Sequence, residues 1–154
     1  MEFELKLDIG AKAPEKNTED VGWDLFAYEP IQFTHGLHYV KIRTGVYVTP
    51  PSDYYFRIVP RSSSMEKKGI IIIEGTVDPS YTGEILIQAI KMNWSSLVTE
   101  RIEKGEKIAQ LILTPKISST IKIVDKLQET KRGNGGFGST GGYIEQKKEG
   151  VKNA

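Results

Sequence analysis

Two short motifs in this chain carry side chains suited to phosphate chemistry. In "PRSSS", Arg61 stands directly before three serines, and a guanidinium beside hydroxyls can bind phosphate oxygens through charge-assisted hydrogen bonds. In "VGWDLFA", Asp24 offers a carboxylate that could help hold a hydrated Mg²⁺, because magnesium usually keeps its water and bridges phosphates. Taken alone, an arginine-serine run is more often a solvated turn. The two motifs gain weight only if the fold brings them together.

The segment "KRGNGGFGSTGG", residues 131–142, contains six glycines among its twelve residues. Glycine loses the most backbone entropy on ordering and offers nothing to pack, so the segment cannot build a core. Its successive backbone N–H groups, with Arg132, Ser139 and Thr140, could form an anion-binding nest. Phe137 could stack on a nucleobase, a contact worth about 1–3 kcal/mol. The segment is therefore either a flexible tail or one that orders around a flat, anionic ligand.

A third motif, "TVDPSYTGEI", combines turn residues with a carboxylate and an aromatic ring. Pro79, Ser80 and Gly83 favour a hairpin between two strands, with Asp78 and Tyr81 at its tip. Turn aspartates commonly bond the local backbone, so the motif by itself leaves a structural role open. Together, the motifs are typical of a site for a nucleoside polyphosphate.

Most of the remaining sequence has a hydrophobic period of two, which predicts an all-β sandwich or barrel. Gly, Pro, Ser or Asn separates the patterned segments, which are rich in Ile, Val, Tyr and Phe. One short helix is predicted around Ser64 to Lys68. The run "IIII" at Ile70 to Ile73 lacks alternation and is interpreted as a strand buried on both faces. The predicted strands are "FELKLDI", "HYVKIRTGVYVTP", "YYFRIVP", "GIIIIEGTVD", "GEILIQAIKMN", "EKIAQLILTP" and "TIKIVDKL".

Composition and length narrow the class of protein. The length predicts one β domain over residues 1–129, followed by a glycine-rich arm at 130–142 and a solvated tail at 143–154. The 21 basic and 20 acidic residues give a net charge of +1, which argues against a nucleic-acid binder. No run approaches the roughly 18 apolar residues of a membrane span, and no signal peptide is evident. We therefore expect no membrane partner and a location in the cytoplasm, or in the host-cell cytoplasm for a phage or viral protein.

The order of the motifs resembles that of a known family, the trimeric dUTP pyrophosphatases (dUTPases). Five motifs occur in the family's order, and they span most of the chain. In order, the five motifs are "VGWDLFA", "PRSSS", "EGTVDPSYTG", "GEKIAQLIL" and "RGNGGFGSTG". The third and fifth are highly specific.

The resemblance implies a jelly-roll-like, all-β fold and a homotrimer whose active sites are shared between subunits, with a flexible C-terminal arm of one subunit closing over a pocket made by the others. It implies hydrolysis of dUTP to dUMP and pyrophosphate by water attack on the α-phosphorus, with Mg²⁺ on the triphosphate. Asp78 would be the catalytic residue that deprotonates the water, and Asp24 would accept a metal-bound water.

The substrate-binding roles implied by the resemblance fall on three parts of the chain. The backbone at Gly75, Thr76 and Val77 would read the uracil edge, and Tyr81 would pack beneath the deoxyribose and leave no room for a 2′-OH. The phosphates and the base would contact the remaining residues, which are Arg61, Ser62, Ser63, Gln110, Arg132, Phe137, Gly138, Ser139 and Thr140.

Two departures from the family pattern and two rival functions accompany this interpretation. Ser64 and Met65 stand where the second motif usually continues with Gly-Leu, and Lys107 stands where arginine is common. The related dCTP deaminase uses a glutamate at the position of Gln88, and glutamine cannot serve as its general acid–base. A regulatory protein partner, known for some phage members, is a further possibility beside catalysis.

The glycine-rich arm generates the first prediction. Removal of residues 131–154 should leave the β domain folded but lower kcat/KM for dUTP by at least about tenfold, because the open site no longer excludes water or grips the distal phosphates. Thermal unfolding followed by circular dichroism, together with pyrophosphate release, measures both effects. Removal of residues 143–154 alone is the control and should change neither. Normal turnover of dUTP after removal of residues 131–154 would contradict a lid function.

Overall fold

Ten strands and one helix make up the regular structure of a computed structural model that describes residues 3–33, 35–93 and 100–135. The elements are β1 (Leu5–Leu7), β2 (Trp23–Phe26), β3 (Ile31–Phe33), β4 (Gly36–Val48), β5 (Tyr54–Pro60), α1 (Ser62–Lys68), β6 (Ile70–Ile73), β7 (Gly75–Val77), β8 (Glu84–Asn93), β9 (Glu100–Ile102) and β10 (Lys107–Pro115).

The strands form two four-stranded antiparallel sheets and a small third sheet. The orders are β1-β4-β8-β6, β2-β10-β5-β7 and β3-β9. One apolar cluster joins the sheets, with Ile42 and Ile87 from the first and Phe56 and Leu111 from the second, all of them buried. Each such side chain contributes about 1.5–3 kcal/mol relative to leaving it exposed. The predicted all-β, jelly-roll-like fold is confirmed.

The period-two pattern located the long strands well and failed at one segment. Strands β4, β5, β8 and β10 lie where they are predicted, and α1 covers the predicted helical turn. The strand predicted at "TIKIVDKL" is wrong, because residues 120–127 have no regular structure. Ile121 and Ile123 are 96% and 94% exposed. Within the described chain no strand pairs with this segment, and an unpaired strand leaves its backbone groups without partners.

The run "IIII" is a strand, but the expectation that both its faces are buried is wrong. Ile70 and Ile72 are buried, whereas Ile71 and Ile73 are 48% and 36% exposed. The reason is that only one face of the first sheet packs toward the core, and the outer face is also exposed at Tyr39 of the inner strand β4. The described residues of this chain leave the other face partly open.

The predicted hairpin at "TVDPSYTGEI" also needs correction. The turn itself is present, since the Tyr81 N–H donates to the Asp78 carbonyl at 3.0 Å. However, β7 pairs with β5 in the second sheet, and β8 pairs with β4 and β6 in the first. A two-residue hairpin turn would keep its strands paired, whereas the longer segment from Asp78 to Gly83 lets the chain cross between sheets.

The chain divides into two compact units, Met1–Ser118 and Ser119–Ala154. The first unit ends at Ser118, and the segment after it has no strand within the described residues. In the described part of the second unit, up to residue 135, the backbone forms no helix or strand. The one described helix, α1, is seven residues long, and it is too short to cross a membrane.

A bulge in β4 generates a stability prediction. Gly45 has φ +66°, and a Cβ there would lie 2.7 Å from the Ala11 Cβ and 2.9 Å from the Tyr28 ring. Gly45→Ala should therefore lower the free energy of unfolding by about 2–5 kcal/mol, through left-handed strain and overpacking together. Gly105 has φ +78° with no atom within 4 Å of its Cβ position, so Gly105→Ala should cost only about 1–2 kcal/mol. Urea unfolding measures both, and equal losses would contradict the overpacking.

Candidate active site

A cleft of about 240 Å³ opens beside β7, and we call it the β7 cleft. Four of the predicted site residues line it together: Gly75, Thr76, Val77 and Tyr81. Strand β7 stands at the edge of the second sheet, so only one of its sides pairs with a described strand. The backbone donors and acceptors on its other side are free to bind the edge of a planar ligand.

Tyr81 forms one wall of the β7 cleft and is held in place locally. Its hydroxyl donates to the Glu84 carbonyl at 2.8 Å, which draws the ring back over Gly83. A Cβ on Gly83 would lie 2.5 Å from the Tyr81 hydroxyl oxygen, so the ring can rest here only on a glycine. A side chain at position 83 would therefore displace the Tyr81 ring from this position.

Asp78 directly follows Val77, a residue of the β7 cleft, and its side chain is exposed. Within the described residues, no group donates a hydrogen bond to its carboxylate. The structure therefore does not contain the alternative arrangement, in which the Asp78 side chain only bonds the backbone of its own turn. A carboxylate without such partners keeps its lone pairs available to accept a proton from water.

A second cleft, of about 260 Å³, lies beside the helix, and we call it the α1 cleft. Arg61 and Ser63 line it, as the sequence predicts for phosphate-binding residues, whereas Ser62 is exposed and lies outside its lining. Three lysines also line the cleft and were missed as ligand residues, since lysines are common on solvated surfaces and give no specific signal: Lys67, Lys68 and Lys107. One acidic residue, Glu106, accompanies them, so the lining favours an anion.

The helix that carries this lining is fixed to β10 by Ser64. The Ser64 side chain is buried, and its hydroxyl donates to the Ile108 carbonyl at 2.8 Å. Lys68 adds an ion pair with Glu106 at 2.6 Å. Ser64, a departure from the family pattern, thus has a structural role in this chain. The sequence carried no signal for that role.

Asp24 lies at the junction of three elements and gathers two cations and an amide. Its Oδ1 contacts the Arg61 Nε at 2.9 Å and accepts from the Gln110 Nε2 at 3.3 Å, and its Oδ2 contacts the Lys107 Nζ at 2.8 Å. The sheet order explains the meeting, because β10 lies between β2, which carries Asp24, and β5, which leads into Arg61. The structure thus unites three predicted site residues, Asp24, Arg61 and Gln110, and adds Lys107.

These contacts also set the protonation state of Asp24. Partial burial by itself raises the pKa of the Asp24 carboxyl, but the hydrogen bond from Lys107 and the charges of Arg61 and Lys107 outweigh it. The net pKa of Asp24 is lower than its ordinary value of 3.8. The carboxylate is therefore ionised at neutral pH.

The donor set around Asp24 fits a metal that arrives with a phosphate ligand rather than one held by protein alone. In the described residues, no group of three or more carboxylate or imidazole side chains could cage an ion. A carboxylate has about four acceptor positions, and three of those of Asp24 are used by Arg61, Lys107 and Gln110. One position remains for a donor such as a metal-bound water.

The arm residues lie mostly outside the described part of the chain. Arg132 is described, and its Nε donates to the Gly135 carbonyl at 2.9 Å within a local turn. Phe137, Gly138, Ser139 and Thr140 lie beyond the described residues. Their predicted roles stay predictions.

The two clefts share no lining residue. Ile70 lines the α1 cleft and Ile73 lines the β7 cleft, although both belong to β6. Side chains alternate along a strand, so these two residues face opposite sides of the first sheet. The two clefts of one chain therefore do not form one continuous pocket.

A jelly-roll-like β fold with an open strand edge and a basic cleft beside its helix defines a class of β proteins equipped to bind nucleotides. The model of the dUTPase family matches residues 10–141, and the chain belongs to this family. The resemblance inferred from five motifs is confirmed.

Relatives and solved structures agree with this assignment. The deoxyuridine 5′-triphosphate nucleotidohydrolase of Paramecium bursaria Chlorella virus 1 is 37% identical over 88% of this chain and 94% of its own length. That of Kluyveromyces lactis is 41% identical over 85% and 87%. The structure of Staphylococcus bacteriophage 80alpha dUTPase with dUPNHPP is 28% identical, covers 91% of this chain and 98% of its own, and has a TM-score of 0.83.

The ion pairs of Asp24 generate a pH-dependent prediction. Because its folded-state pKa is lowered, the ionised carboxylate stabilises the fold above pH 3.8, and this stabilisation is lost as the pH falls through the lower folded-state pKa. Asp24→Asn should cost about 1 kcal/mol at pH 7 and progressively less in acid. Urea unfolding across pH measures this difference.

Asp53 provides the matched control, since its exposed carboxylate forms no ion pair with a described residue. Asp53→Asn should leave the free energy of unfolding nearly unchanged at every pH. A cost of Asp24→Asn that does not vary with pH would contradict the lowered pKa.

Proposed function

We infer that the chain is a dUTP nucleotidohydrolase that converts dUTP to dUMP and pyrophosphate, and so limits uracil in DNA and supplies dUMP. The observation that carries this conclusion is the family match over residues 10–141, which runs through all five motifs. The similar relatives are nucleotidohydrolases of the same substrate. The alternative, a dCTP deaminase, would need a glutamate at position 88 as its general acid–base. This chain has Gln88 there, and its amide oxygen accepts from the Tyr39 hydroxyl at 2.8 Å.

The β7 cleft is the proposed site of the nucleoside. The open edge of β7 at Gly75, Thr76 and Val77 would pair with uracil, whose donor and acceptor pattern cytosine reverses. Cytosine would leave backbone groups unpaired, which costs about 1–3 kcal/mol for each buried group. Tyr81 would pack beneath the sugar and leave no space for a 2′-OH.

Asp78 is the proposed general base. Its carboxylate would take a proton from a water molecule as the water oxygen attacks the α-phosphorus. The bond between the α-phosphorus and the bridging oxygen then breaks, and pyrophosphate leaves with the bonding electrons. The negative charge that accumulates would be met by Arg61, Ser62, Ser63 and Gln110, and such electrostatic stabilisation is the main catalytic resource in phosphoryl transfer.

Magnesium fits this scheme as a partner of the triphosphate. A bound Mg²⁺ would neutralise phosphate charge and favour departure of pyrophosphate. Asp24, with one remaining acceptor position, would accept a hydrogen bond from metal-bound water. Arg61 and Lys107 hold Asp24 in place for that role.

We propose that the enzyme acts as a homotrimer with shared active sites. Each chain offers its nucleoside cleft and its basic cleft on opposite sides of a sheet, so a complete site is built more readily from two chains than from one. An exposed apolar face on the first sheet supports association, since the β4–β8–β6 register places its members side by side. These are Leu37 at 68%, Tyr39 at 55%, Ile71 at 48% and Ile73 at 36% exposure.

The segment after β10 supports the same proposal. Ile117, Ile121 and Ile123 are all more than 80% exposed, although their sequence has the alternation of a half-buried strand. A neighbouring copy could supply the missing strand partner. The number of three subunits rests on the family resemblance.

The arm completes the proposed site. Arg132, Ser139 and Thr140 would bind the distal phosphates, and Phe137 and Gly138 would cover the base, so that water is excluded during the reaction. A regulatory protein partner and a cytoplasmic location stay predictions.

Release of pyrophosphate from dUTP, dCTP, dTTP and UTP tests the function. We expect a strong preference for dUTP over the other three nucleotides. Asp78→Asn should lower kcat by about 10²–10⁴-fold while leaving binding of a non-hydrolysable dUTP analogue nearly unchanged, because the amide cannot accept the proton. Ammonia release from dCTP would instead indicate the deaminase. Full activity of Asp78→Asn would reject the assigned base.

A further inference from the structure

We propose that Thr49 is a positioning residue that sets the preference for deoxyribose over ribose, acting through Tyr81. The proposal rests on the inferred function, in which Tyr81 is the wall beneath the sugar. Thr49 lies in the loop directly after β4 and outside the five family motifs. Its hydroxyl donates to the Tyr81 backbone carbonyl at 2.9 Å.

All three polar groups of Tyr81 are engaged. The N–H donates to the Asp78 carbonyl at 3.0 Å, and the ring hydroxyl donates to the Glu84 carbonyl at 2.8 Å. Both partners are only three residues away in the sequence. The bond from Thr49 is different, because it spans 32 residues of sequence. Within the described chain, it is the one hydrogen bond that ties Tyr81 to a distant element.

The remaining contacts define the direction in which Tyr81 can yield. On one side the ring lies against Gly83, where a Cβ would be 2.6 Å from the ring Cζ. Motion toward Gly83 is therefore blocked by the backbone. Motion of the whole turn away from β4 is opposed by the Thr49 bond. Loss of that bond would remove the attachment of the Tyr81 carbonyl to the end of β4, so that the wall formed by Tyr81 in the β7 cleft would be held less rigidly.

The far end of Tyr81 has a firm anchor. Glu84, whose carbonyl accepts the Tyr81 hydroxyl, has its carboxylate held by the Arg43 Nε at 3.0 Å and by the Gly45 N–H at 2.8 Å. Arg43 and Gly45 belong to β4, the strand that leads to Thr49. The Tyr81 hydroxyl is thus linked to β4 through Glu84, and the Tyr81 backbone carbonyl is linked to the end of β4 through Thr49.

Rigidity of this wall matters because the discriminated group is a single hydroxyl. A wall that cannot move rejects the 2′-OH by overpacking, whereas a wall that yields by a fraction of an ångström admits it. The wall contributes equally to dUTP and UTP in every other contact. Loosening Tyr81 should therefore change the ratio between the two substrates more than the turnover of dUTP.

The test compares Thr49→Val, which keeps the shape and removes the hydroxyl, with Thr49→Ser, which keeps the hydroxyl. In Thr49→Val we expect the ratio of kcat/KM for dUTP to that for UTP to fall roughly threefold to tenfold, as loss of one neutral hydrogen bond allows. The fall should come from a higher value for UTP, with dUTP within about twofold of the wild type. Thr49→Ser should keep the wild-type ratio.

Measurement of binding separates this proposal from the inferred function. Calorimetry with non-hydrolysable α,β-imido analogues of dUTP and UTP gives the same ratio without turnover. A wild-type ratio in Thr49→Val, in an enzyme that hydrolyses dUTP, overturns the role of Thr49 alone. A wild-type chain that neither hydrolyses dUTP nor prefers the deoxy analogue overturns the inferred function and the role of Thr49 with it. A ratio that falls equally in Thr49→Ser also contradicts the hydroxyl as the cause.

Discussion

The carboxylate of Asp24 is the interaction on which the candidate site depends. Arg61, between β5 and α1, and Lys107, in β10, bear the same charge and both contact Asp24, so without this shared counter-ion they would repel each other. Asp24 neutralises part of that charge and fixes both side chains. Since β10 pairs with β2 on one side and β5 on the other, the three elements meet only because the second sheet has this strand order. The proposed phosphate site is thus a product of sheet topology and one acidic side chain.

A second constraint is the separation of the two clefts on one chain. The alternation of side chains along β6 sends Ile70 toward one side and Ile73 toward the other, and no residue lines both clefts. The proposed sites for the nucleoside and for the phosphates are therefore separate within a single chain. This arrangement gives a physical reason for the proposed sharing of active sites, beyond the family resemblance.

The sequence predicted the features that are encoded locally. Alternation in β4, β5 and β10 reports which face meets the core, and the motif residues Asp24, Arg61 and Gln110 were expected in one site and lie in one site. What failed depends on partners distant in sequence. The partner of β7 is β5 rather than β8, and turn chemistry alone does not report that choice.

The hydrophobic pattern of a strand also does not report whether other elements cover each of its faces. Four consecutive isoleucines fit a strand buried on both faces, but Ile71 and Ile73 lie on the outer face of the first sheet, which the described residues leave partly open. Single hydroxyls, such as those of Ser64, which bonds a carbonyl of β10, and Thr49, which bonds a carbonyl of the crossing segment, acquire roles only from where the folded backbone places a carbonyl. Nothing in their local sequence distinguishes them from solvated serines and threonines.

The uncovered isoleucines at positions 121 and 123 have a consequence for the solution behaviour of the protein. Exposed apolar segments with strand alternation can pair with identical segments of other molecules and form amyloid-type fibrils. Here Lys122, Asp125 and Lys126 interrupt the stretch, and buried lysines in a stacked zipper would be costly. The charges act as gatekeepers: they disfavour amyloid-type growth and still permit docking on a surface that leaves the ammonium groups in water.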